Sequence, residues 1–555
     1  MTRDRKSLFR RSVTELAELV ARLDQLEANY AKATSEREHY RRLYLDMLEQ
    51  CKKLERGLLG QKAERLPAAD GQLTLELLGS LLEASATSAT AAMNSSETTD
   101  VDADPDANTE VRASTRRRKA GRGRLPEHMP RVDIELIPEE VQREGLDAFE
   151  RLPGEVSEIL ERRRASLVVL HVHRPRFLRK DRERNVETKF HVAEPLDLPI
   201  ERGLAGPGLL ADTLVKRFQD HLPLNRLETI YEREGVHLAR STLCGWHREL
   251  AELVEPLVAG MWRDAKTAPY LCTDATGVLV QAKDRCRRGH FWVVVAPARH
   301  VLYGYSARHD SAAVDRLFAD YQGYLVADAH AVYDHLYEDG TILEVGCWAH
   351  ARRYFFKALV SEPQHAREAL AFITALFRLE RELAGQSAKH RKAARQTRAK
   401  PVVDAFFEWC ERKVDHVLDD TPIAKGLGYV RNQREALQRF LLDGRLPLHN
   451  NISELHLRRQ AVGRKNWLFV GNDDAGEVNA TIVSLLASCD MHGVEPVGYL
   501  RDLLCLLPYW RQHRVLELAP VNWRQTLEQP EARELLAENV CRRAALGELD
   551  HLVEG

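Results

Sequence analysis

The chain has 555 residues, a formal net charge of −2 and a hydrophobic content of 44%, which is ordinary for a globular protein. This length predicts about three or four domains. No apolar run reaches the roughly 18 residues that a membrane span requires, and the segment MTRDRKSLFRRSV lacks the apolar core of a signal peptide. The nine cysteines are scattered without a CxxC pair, which argues against a disulfide framework. We therefore expect a cytoplasmic protein that has no membrane partner.

Residues 1–60 carry a heptad pattern. Apolar side chains recur at alternating three- and four-residue spacing from Phe9 to Leu58. A pattern of about seven heptads favours a coiled coil, and hence a homo-oligomer that is at least a dimer. The alternative is one amphipathic helix that packs on its own chain.

Residues 61–125 read as a disordered linker that ends in a basic arm. The stretch from about 84 to 110 is small, polar and acidic. It is followed by TRRRKAGRGRLP, and an arm of this kind can lie along DNA phosphates or enter a minor groove. The alternative is a solvated tail that balances the acidic stretch. The candidate DNA-binding residues of the arm are Arg116, Arg117, Arg118, Lys119, Arg122 and Arg124.

Residues 126–195 predict a small β-rich module around SLVVLHVHRPRFL, where a continuous apolar run is followed by alternation. His171 and His173 are possible metal ligands. No cysteine or acid stands near them in the sequence, so structural histidines are expected.

Residues 196–260 predict three short helices. The piece LETIYEREGVHLARSTLCGWHREL contains a helix, a glycine turn and a second helix opened by Ser241 and Thr242. This is the outline of a helix-turn-helix, in which Arg240 and Arg248 would flank a helix that reads DNA. The alternative is an ordinary helical hairpin.

From residue 268 onward, strands and helices alternate. FWVVVAPARHVLYGYS predicts a hairpin that turns near Pro297, and GYLVADAH predicts a buried central strand. The order of these elements predicts an α/β unit whose sheet starts antiparallel and finishes parallel.

Three carboxylates stand at informative positions in this region. Asp274 and Asp328 each follow the apolar residues of a strand, and Glu454 lies at the start of a helix. Ligands bind at the carboxyl ends of strands in open α/β sheets, and clustered carboxylates suit Mg²⁺ or Mn²⁺. Two such ions support phosphodiester chemistry. Asp473 and Glu477 are alternatives to Glu454 as the third ligand.

The sequence resembles the DDE transposases, and specifically the large transposase of the insertion sequence sixty-six family. The resemblance is carried by TDATG with VADAHAVYD, by CWAHARRYF, and by NNISELHLRRQAVGRKNWLFVGNDDAG with SLLASCDMHGVEPVGYLRDLL. It implies a multidomain α/β protein with a ribonuclease H-like catalytic domain over 261–500, interrupted by a helical insertion at about 355–445. A C-terminal helical element would occupy 501–555. The implied metal-binding catalytic triad is Asp274, Asp328 and Glu454, with two divalent ions.

Basic and aromatic residues near these motifs are candidate DNA contacts, with the aromatic ring placed to stack on a base. They are His350, Arg352, Arg353, Arg458, Arg464, Lys465 and Trp467. Cys347 and His350 also match the family, but they lack a second pair of zinc ligands.

The chain departs from the family pattern in two places. Family members commonly carry a cysteine-rich zinc module after the linker, and here no cysteine lies between Cys51 and Cys244. A zinc site is therefore not expected there, and the module would be held by packing. Near the glutamate, His449 replaces an acid and Leu455 replaces an arginine; neither change removes a triad member.

The favoured function is a bacterial DNA transposase that binds the terminal repeats of its element and target DNA, associated with the nucleoid when on DNA. The resemblance implies that small accessory proteins of the same element assist it. The alternatives are a decayed or domesticated DNA-binding protein that recognises element ends, and a ribonuclease H-like nuclease acting on branched DNA.

Overall fold

The computed structural model describes residues 125–549 except 128, 164–165, 181–189, 202 and 284, together with five isolated positions between 22 and 32. Apart from those five positions, the predicted coiled coil lies outside the described residues, as do the linker and its basic arm. The chain divides into two compact units. One contains Trp348–Leu448, and the other contains the described residues of 125–347 and 449–549.

The first part of the larger unit is a four-stranded sheet. Its strands are β1 (Arg131–Glu135), β2 (Phe149–Arg163), β3 (Ser166–Arg179) and β4 (Phe190–Val192); a helix α1 (Glu139–Glu144) and a 3₁₀ turn (Leu146–Ala148) lie between β1 and β2. Strand β3 pairs with β2 on one side, and the two strands are antiparallel. On its other side, β3 pairs with β1 in parallel orientation and with β4 in antiparallel orientation. One face is apolar, and its residues Val132 and Leu170 pack with Cys541 and Ala544 from near the C-terminus. Since side chains alternate along a strand, the opposite face carries the polar residues.

Three helices follow, as the sequence predicts, but the third is not short. They are α2 (Pro207–Phe218), α3 (Leu224–Arg233) and α4 (Arg240–Ala265). Gly235 turns the chain between α3 and α4 with φ +89°, a backbone conformation that glycine adopts without strain. Helix α4 is 26 residues long and continues past Pro256, because apolar residues at helical spacing stay buried from Leu243 to Met261.

A six-stranded sheet forms the centre of the larger unit. Its strands are β5 (Tyr270–Val280), β6 (Arg287–Ala296), β7 (His300–Ser306), β8 (Gly323–Val326), β9 (Ile342–Val345) and β10 (Phe469–Val470). The order is β7-β6-β5-β8-β9, with β10 paired to β5. The first three strands are antiparallel, and β8 and β9 continue the sheet in parallel. This confirms the predicted antiparallel start, hairpin near Pro297 and parallel finish. Helix α5 (Ser311–Phe318) lies between β7 and β8, and a 3₁₀ segment (Ala331–Tyr337) connects the parallel strands β8 and β9.

The smaller unit is helical. Its elements are α6 (Trp348–Ala358), α7 (Pro363–Glu382), α8 (Ala388–Ala394), a π-helical turn (Arg395–Ala399), α9 (Lys400–Val414), α10 (Pro422–Asn432), α11 (Arg434–Gln438) and a 3₁₀ turn (Arg439–Leu441). The Arg395 side chain is fully buried; it donates to both carboxylate oxygens of Glu380 at 2.7 Å and to three backbone carbonyls. Such complete pairing is what allows a guanidinium to lie inside a core. The unit includes the segment 355–445, for which a helical insertion was predicted.

The chain then returns to the larger unit with six helices. They are α12 (Asn451–Trp467), α13 (Asp473–His492), α14 (Pro496–Leu506), α15 (Trp523–Glu528), α16 (Pro530–Glu538) and α17 (Val540–Ala545), with 3₁₀ turns at Leu507–Tyr509 and Gln512–Leu518. None of the helices among the described residues is both long and apolar enough to span a bilayer.

Helix α13 lies along the outer edge of the six-stranded sheet. The Ser484 and Ser488 hydroxyls accept hydrogen bonds from the backbone N–H groups of Tyr303 and Val301 at 2.8 and 3.0 Å. The Ser488 hydroxyl also donates to the Val301 carbonyl at 3.1 Å. Edge-strand groups that no other strand pairs are thus satisfied by side chains of a helix.

Candidate active site

Asp274 and Asp328 lie close to the end of the pairing between two neighbouring parallel strands. The last residue pair between β5 and β8 is Cys272 with Val326. Asp274 continues β5 two residues beyond this pair, whereas β8 ends at Val326 and Asp328 lies in the segment that follows it. Both aspartates are half-buried. Burial raises the pKa of the Tyr333 hydroxyl, and the charges of both aspartates raise it further, so both carboxylates lie near this ring.

Asn450 fixes the helix that carries Glu454. Its buried Nδ2 donates to the backbone carbonyl of Thr273, the residue before Asp274, at 2.7 Å. Its backbone N–H donates to the Cys347 sulfur at 3.2 Å. Glu454 lies one helical turn later, where its N–H donates to the Asn450 carbonyl at 3.4 Å. Since residues four apart share a helix face, we expect the Glu454 side chain on the same side as Asn450.

The rest of α12 is also tied to the sheet, because the helix packs across β5 and β6. The Arg464 guanidinium donates to the Thr276 hydroxyl at 2.9 Å and to the Gly277 carbonyl on β5. The Tyr303 hydroxyl donates to the His456 carbonyl at 2.7 Å. These contacts set the position of Glu454 relative to the strand of Asp274.

Aromatic side chains flank the two aspartates. Tyr333 is only 2% exposed, which agrees with a core role for its ring, and burial raises the pKa of its hydroxyl. The His309 ring stacks on Trp292, with centroids 4.7 Å apart and an interplanar angle of 10°. His290 and His330 contact the other sides of His309 at centroid distances of 4.9 and 4.6 Å. Burial lowers the pKa of His309 to about 4, so this ring is neutral at pH 7. The sequence reasoning missed this histidine cluster, because its members come from three separate segments.

The donor set suits hard divalent ions. Asp274, Asp328 and Glu454 would supply carboxylate oxygens, which Mg²⁺ and Mn²⁺ prefer. In this structure the oxygens of the three residues do not all lie within 4.8 Å of one another. The Asn450 Oδ1 is a further oxygen, buried and without a hydrogen-bond donor among the described residues. A buried acceptor of this kind is normally satisfied by an ion, a water or a donor.

Asp473, an alternative third ligand, has other partners. Its carboxylate accepts from the Tyr305 hydroxyl at 2.5 Å and from Arg287, and these hydrogen bonds lower its pKa. Tyr305 belongs to β7, two strands away from the strand of Asp274. Glu477 lies one turn further along α13, where burial raises its pKa. Neither residue lies on the helix that Asn450 ties to Thr273.

The predicted base-stacking role of Trp467 is wrong for this structure. The ring is only 8% exposed, and the Arg217 guanidinium lies 5.6 Å from its centroid. Because its partners are protein groups, Trp467 is a core residue that ends α12. The Arg464 guanidinium also has protein partners, because it donates to Thr276 and Gly277 on β5. Arg458 and Lys465, by contrast, are exposed on the same helix.

The other predicted DNA contacts belong to other elements. Arg240 and Arg248 are exposed on the first turns of α4, and the Arg240 guanidinium pairs with Glu228 at 3.0 Å. His350, Arg352 and Arg353 lie on α6 in the helical unit. The six basic residues from Arg116 to Arg124 lie outside the described residues.

The sequence reasoning found no acid near His171 and His173, and the structure corrects this. Strand β1 places Asp133 directly opposite His171. The three side chains offer ligand atoms that all lie within 4.8 Å of one another. The acid was missed because it is 38 residues away along the chain.

Comparisons with known proteins agree with the residues that carry the resemblance. Residues 202–478, which include Asp274, Asp328 and Glu454, match the family described as "Transposase IS66 family". Residues 46–134 match "Transposase C of IS166 homeodomain".

Relatives extend the match over most of the chain. The uncharacterized protein y4qI of Sinorhizobium fredii is 30% identical over 417 residues, which are 72% of this chain and 76% of the relative. The uncharacterized proteins y4hP and y4jD of the same organism are each 29% identical and cover 85% and 84% of this chain, with 88% and 92% of their own lengths matched. The chain belongs to the IS66 family of transposases.

Proposed function

We propose that this protein is a DNA transposase that binds the terminal repeats of its element and catalyses metal-dependent strand cleavage and strand transfer into target DNA. The observation that carries the proposal is the pairing of β5 with β8, which is followed after two residues by Asp274 and Asp328, beside a helix start that Asn450 ties to Thr273. That arrangement would direct Glu454 towards the strand of Asp274. A sheet with three antiparallel strands followed by parallel ones supports a ribonuclease H-like catalytic domain.

Asp274, Asp328 and Glu454 would hold two Mg²⁺ or Mn²⁺ ions. Bound divalent ions supply activation of the attacking oxygen and stabilisation of the leaving 3′ oxygen. The side chains fix the geometry: the two aspartates come from a rigid sheet, and Glu454 comes from a helix held along its length. Neither step requires a covalent bond to the protein, so a serine, cysteine or tyrosine nucleophile is not needed.

Exposed basic residues would hold the DNA. Arg458 and Lys465 are exposed on the helix of Glu454, and Arg240 and Arg248 are exposed at the start of α4. Cations at these positions would neutralise phosphates and position the duplex without reading its sequence. Transposition must hold two DNA ends together, so we infer a homo-oligomer, to which the heptads of residues 1–60 would contribute.

The test is cleavage of a labelled duplex that carries the terminal repeat of the element, with purified full-length protein in Mg²⁺ or Mn²⁺. Wild type should nick at the repeat boundary. Glu454→Gln should bind the repeat in a mobility-shift assay without nicking it. Glu477→Gln is the matched control, and it should cleave like wild type.

Each other outcome has a distinct meaning. Equal cleavage by wild type and Glu454→Gln would refute the assignment of the third carboxylate, and loss of cleavage in Glu477→Gln alone would transfer that role to Glu477. Binding of the repeat without cleavage by wild type, repeated with the small proteins of the element, would favour a decayed DNA-binding protein.

A further inference from the structure

A histidine pair and an aspartate meet on the polar face of the small sheet. His171 Nδ1 and His173 Nε2 both lie 2.8 Å from the same oxygen, Asp133 Oδ1. The two imidazole rings are 4.4 Å apart between centroids and stand edge to face. Three ligand atoms of the kinds that bind transition metals therefore converge on one point.

The strand geometry makes this convergence specific. His171 and His173 are two residues apart on β3, so their side chains project from the same face. The parallel strand β1 pairs Asp133 with His171 and Glu135 with His173. The opposite face is the apolar core that contains Leu170 and Val172. The cluster is thus held by two adjacent strands of a packed sheet, and loop conformation plays no part in it.

The cluster is open to solvent on one side. The side chains of Asp133, His171 and His173 retain 37%, 30% and 36% of their exposure. On β2, Glu158 is the direct partner of His171, but its carboxylate is bound by the Arg131 guanidinium at 3.3 Å. A water can therefore complete a fourth position.

We propose that Asp133, His171 and His173 bind one Zn²⁺ ion, separate from the carboxylate site. Two imidazole nitrogens select a transition metal over Mg²⁺. Tetrahedral Zn²⁺ with bonds of about 2.0–2.1 Å separates its ligand atoms by about 3.3 Å. The present 2.8 Å contacts need to open by only about 0.5 Å, which small side-chain rotations provide.

Zinc replaces the hydrogen bonds of the cluster. In the metal-free cluster, Nδ1 of His171 and Nε2 of His173 each donate a hydrogen to Asp133. On binding, each neutral ring carries its hydrogen on the other nitrogen and offers a lone pair to the metal, with no net proton release from neutral rings. The ion would link β1 to β3 across 38 residues of sequence, so binding should stabilise the folded sheet.

The experiment measures zinc bound to full-length protein. Protein is equilibrated with Zn²⁺ in millimolar Mg²⁺, which occupies the carboxylate site, and is separated from free metal by gel filtration before elemental analysis. Wild type should retain one zinc per chain and show a Zn²⁺-dependent rise in Tm. Co²⁺ in place of Zn²⁺ should give the visible absorption of a four-coordinate site.

Two variants and a control make the test decisive. His173→Ala should bind zinc at least about tenfold more weakly. Substitution of a residue that only hydrogen-bonds to a metal ligand already lowers metal affinity by about 10–100-fold, and His173 is itself a proposed ligand. Asp133→Asn keeps the side-chain shape and should weaken zinc binding to the same extent. It replaces His173→Ala in the test if that variant fails to fold. His335→Ala is the matched control, because His335 pairs with a single carboxylate, Asp315, at 2.6 Å. It should retain one zinc.

Two results would overturn the proposal: wild type that retains no zinc, or variants that retain as much zinc as wild type. A Tm that falls in the variants but does not respond to Zn²⁺ in wild type would assign the cluster to hydrogen bonding alone.

Discussion

The two sheets of the larger unit bring distant residues together in the same way but at different places. In the small sheet, parallel pairing of β1 with β3 sets Asp133 against His171 in mid-strand. In the six-stranded sheet, parallel pairing of β5 with β8 ends at Cys272 and Val326, and Asp274 and Asp328 each follow two residues later. A strand end is visible in a sequence because the apolar run stops there, whereas a mid-strand neighbour is visible only once the register is known. Cross-strand partners inside a strand are therefore the sites that sequence reading misses.

The largest expected effect is at the end of the six-stranded sheet. Asp328→Asn removes one carboxylate charge and keeps the side-chain shape, so the strand register should be preserved. We expect cleavage of a terminal-repeat duplex to fall by at least about 10³-fold while binding of the repeat changes little. Single-turnover cleavage and a mobility-shift assay measure the two quantities. A comparable loss in Asp334→Asn, an exposed aspartate six residues further on, would argue against a specific role.

The second effect tests whether Asn450 positions the site. Asn450→Ala removes the donor to Thr273 and leaves that buried carbonyl unpaired, which costs about 1–3 kcal/mol of stability. Displacement of α12 should also lower the cleavage rate by about 10²-fold. Asn479→Ala is the matched control, since Asn479 is buried and accepts from Gln460 at 2.6 Å. It should lose similar stability but keep its cleavage rate. If the cleavage rate falls equally in both variants, Asn450 contributes only to stability and does not position the site.

The third effect lies in the small sheet, where Glu161 on β2 is fully buried. Its carboxyl accepts the Leu209 N–H at 2.8 Å, at the start of α2, and burial raises its pKa from 4.5 to about 8. The folded state therefore holds a proton that the unfolded chain releases between pH 4.5 and 8. Stability falls as pH rises through this window.

Glu161→Gln stays neutral and should lack this dependence. Between pH 5 and 8, wild type should lose on the order of 3 kcal/mol relative to the variant, as measured by urea unfolding at each pH. Glu155→Gln, an exposed change on the same strand, should follow wild type. Parallel pH profiles for wild type and Glu161→Gln would contradict the proton assignment.

The smallest effects concern the exposed cations of α12. Arg458→Ala and Lys465→Ala should each weaken repeat binding a few-fold and reduce the slope of log K against log salt by about 1. Arg459→Ala is the contrast, because the Arg459 side chain is only 13% exposed and pairs with Asp490. It should lower Tm and leave the slope unchanged. If the slope of log K against log salt is unchanged in all three variants, α12 does not belong to the DNA interface.

Much of the six-stranded sheet could be predicted from the sequence. The hairpin near Pro297 and the parallel finish follow from continuous apolar runs, since these runs mark buried strands. The length of α4 could have been read from its apolar spacing, which continues past Pro256 to Met261. The burial of Trp467 could not be predicted from the sequence, because it depends on contact with Arg217, which is 250 residues away along the chain.

The histidine cluster of the small sheet shows the same limit. His171 and His173 stand out as a pair in the sequence, but Asp133 acquires meaning only through its register with β3. Asn450 is a related case: its place before the Glu454 helix is visible, whereas its bond to Thr273 depends on how the chain returns after the helical unit. Local patterns thus predict the elements, and long-range pairing decides which side chains meet.

The serines of α13 have a consequence for how copies of this protein associate. A strand with unsatisfied edge groups can extend its sheet into a neighbouring molecule. Here Ser484 and Ser488 already bond to the outer backbone groups of β7, so a second chain would have to displace a packed helix to add a strand at this edge. Pairing between copies through β7 is therefore disfavoured, and the six-stranded sheet is protected from templated aggregation on this side.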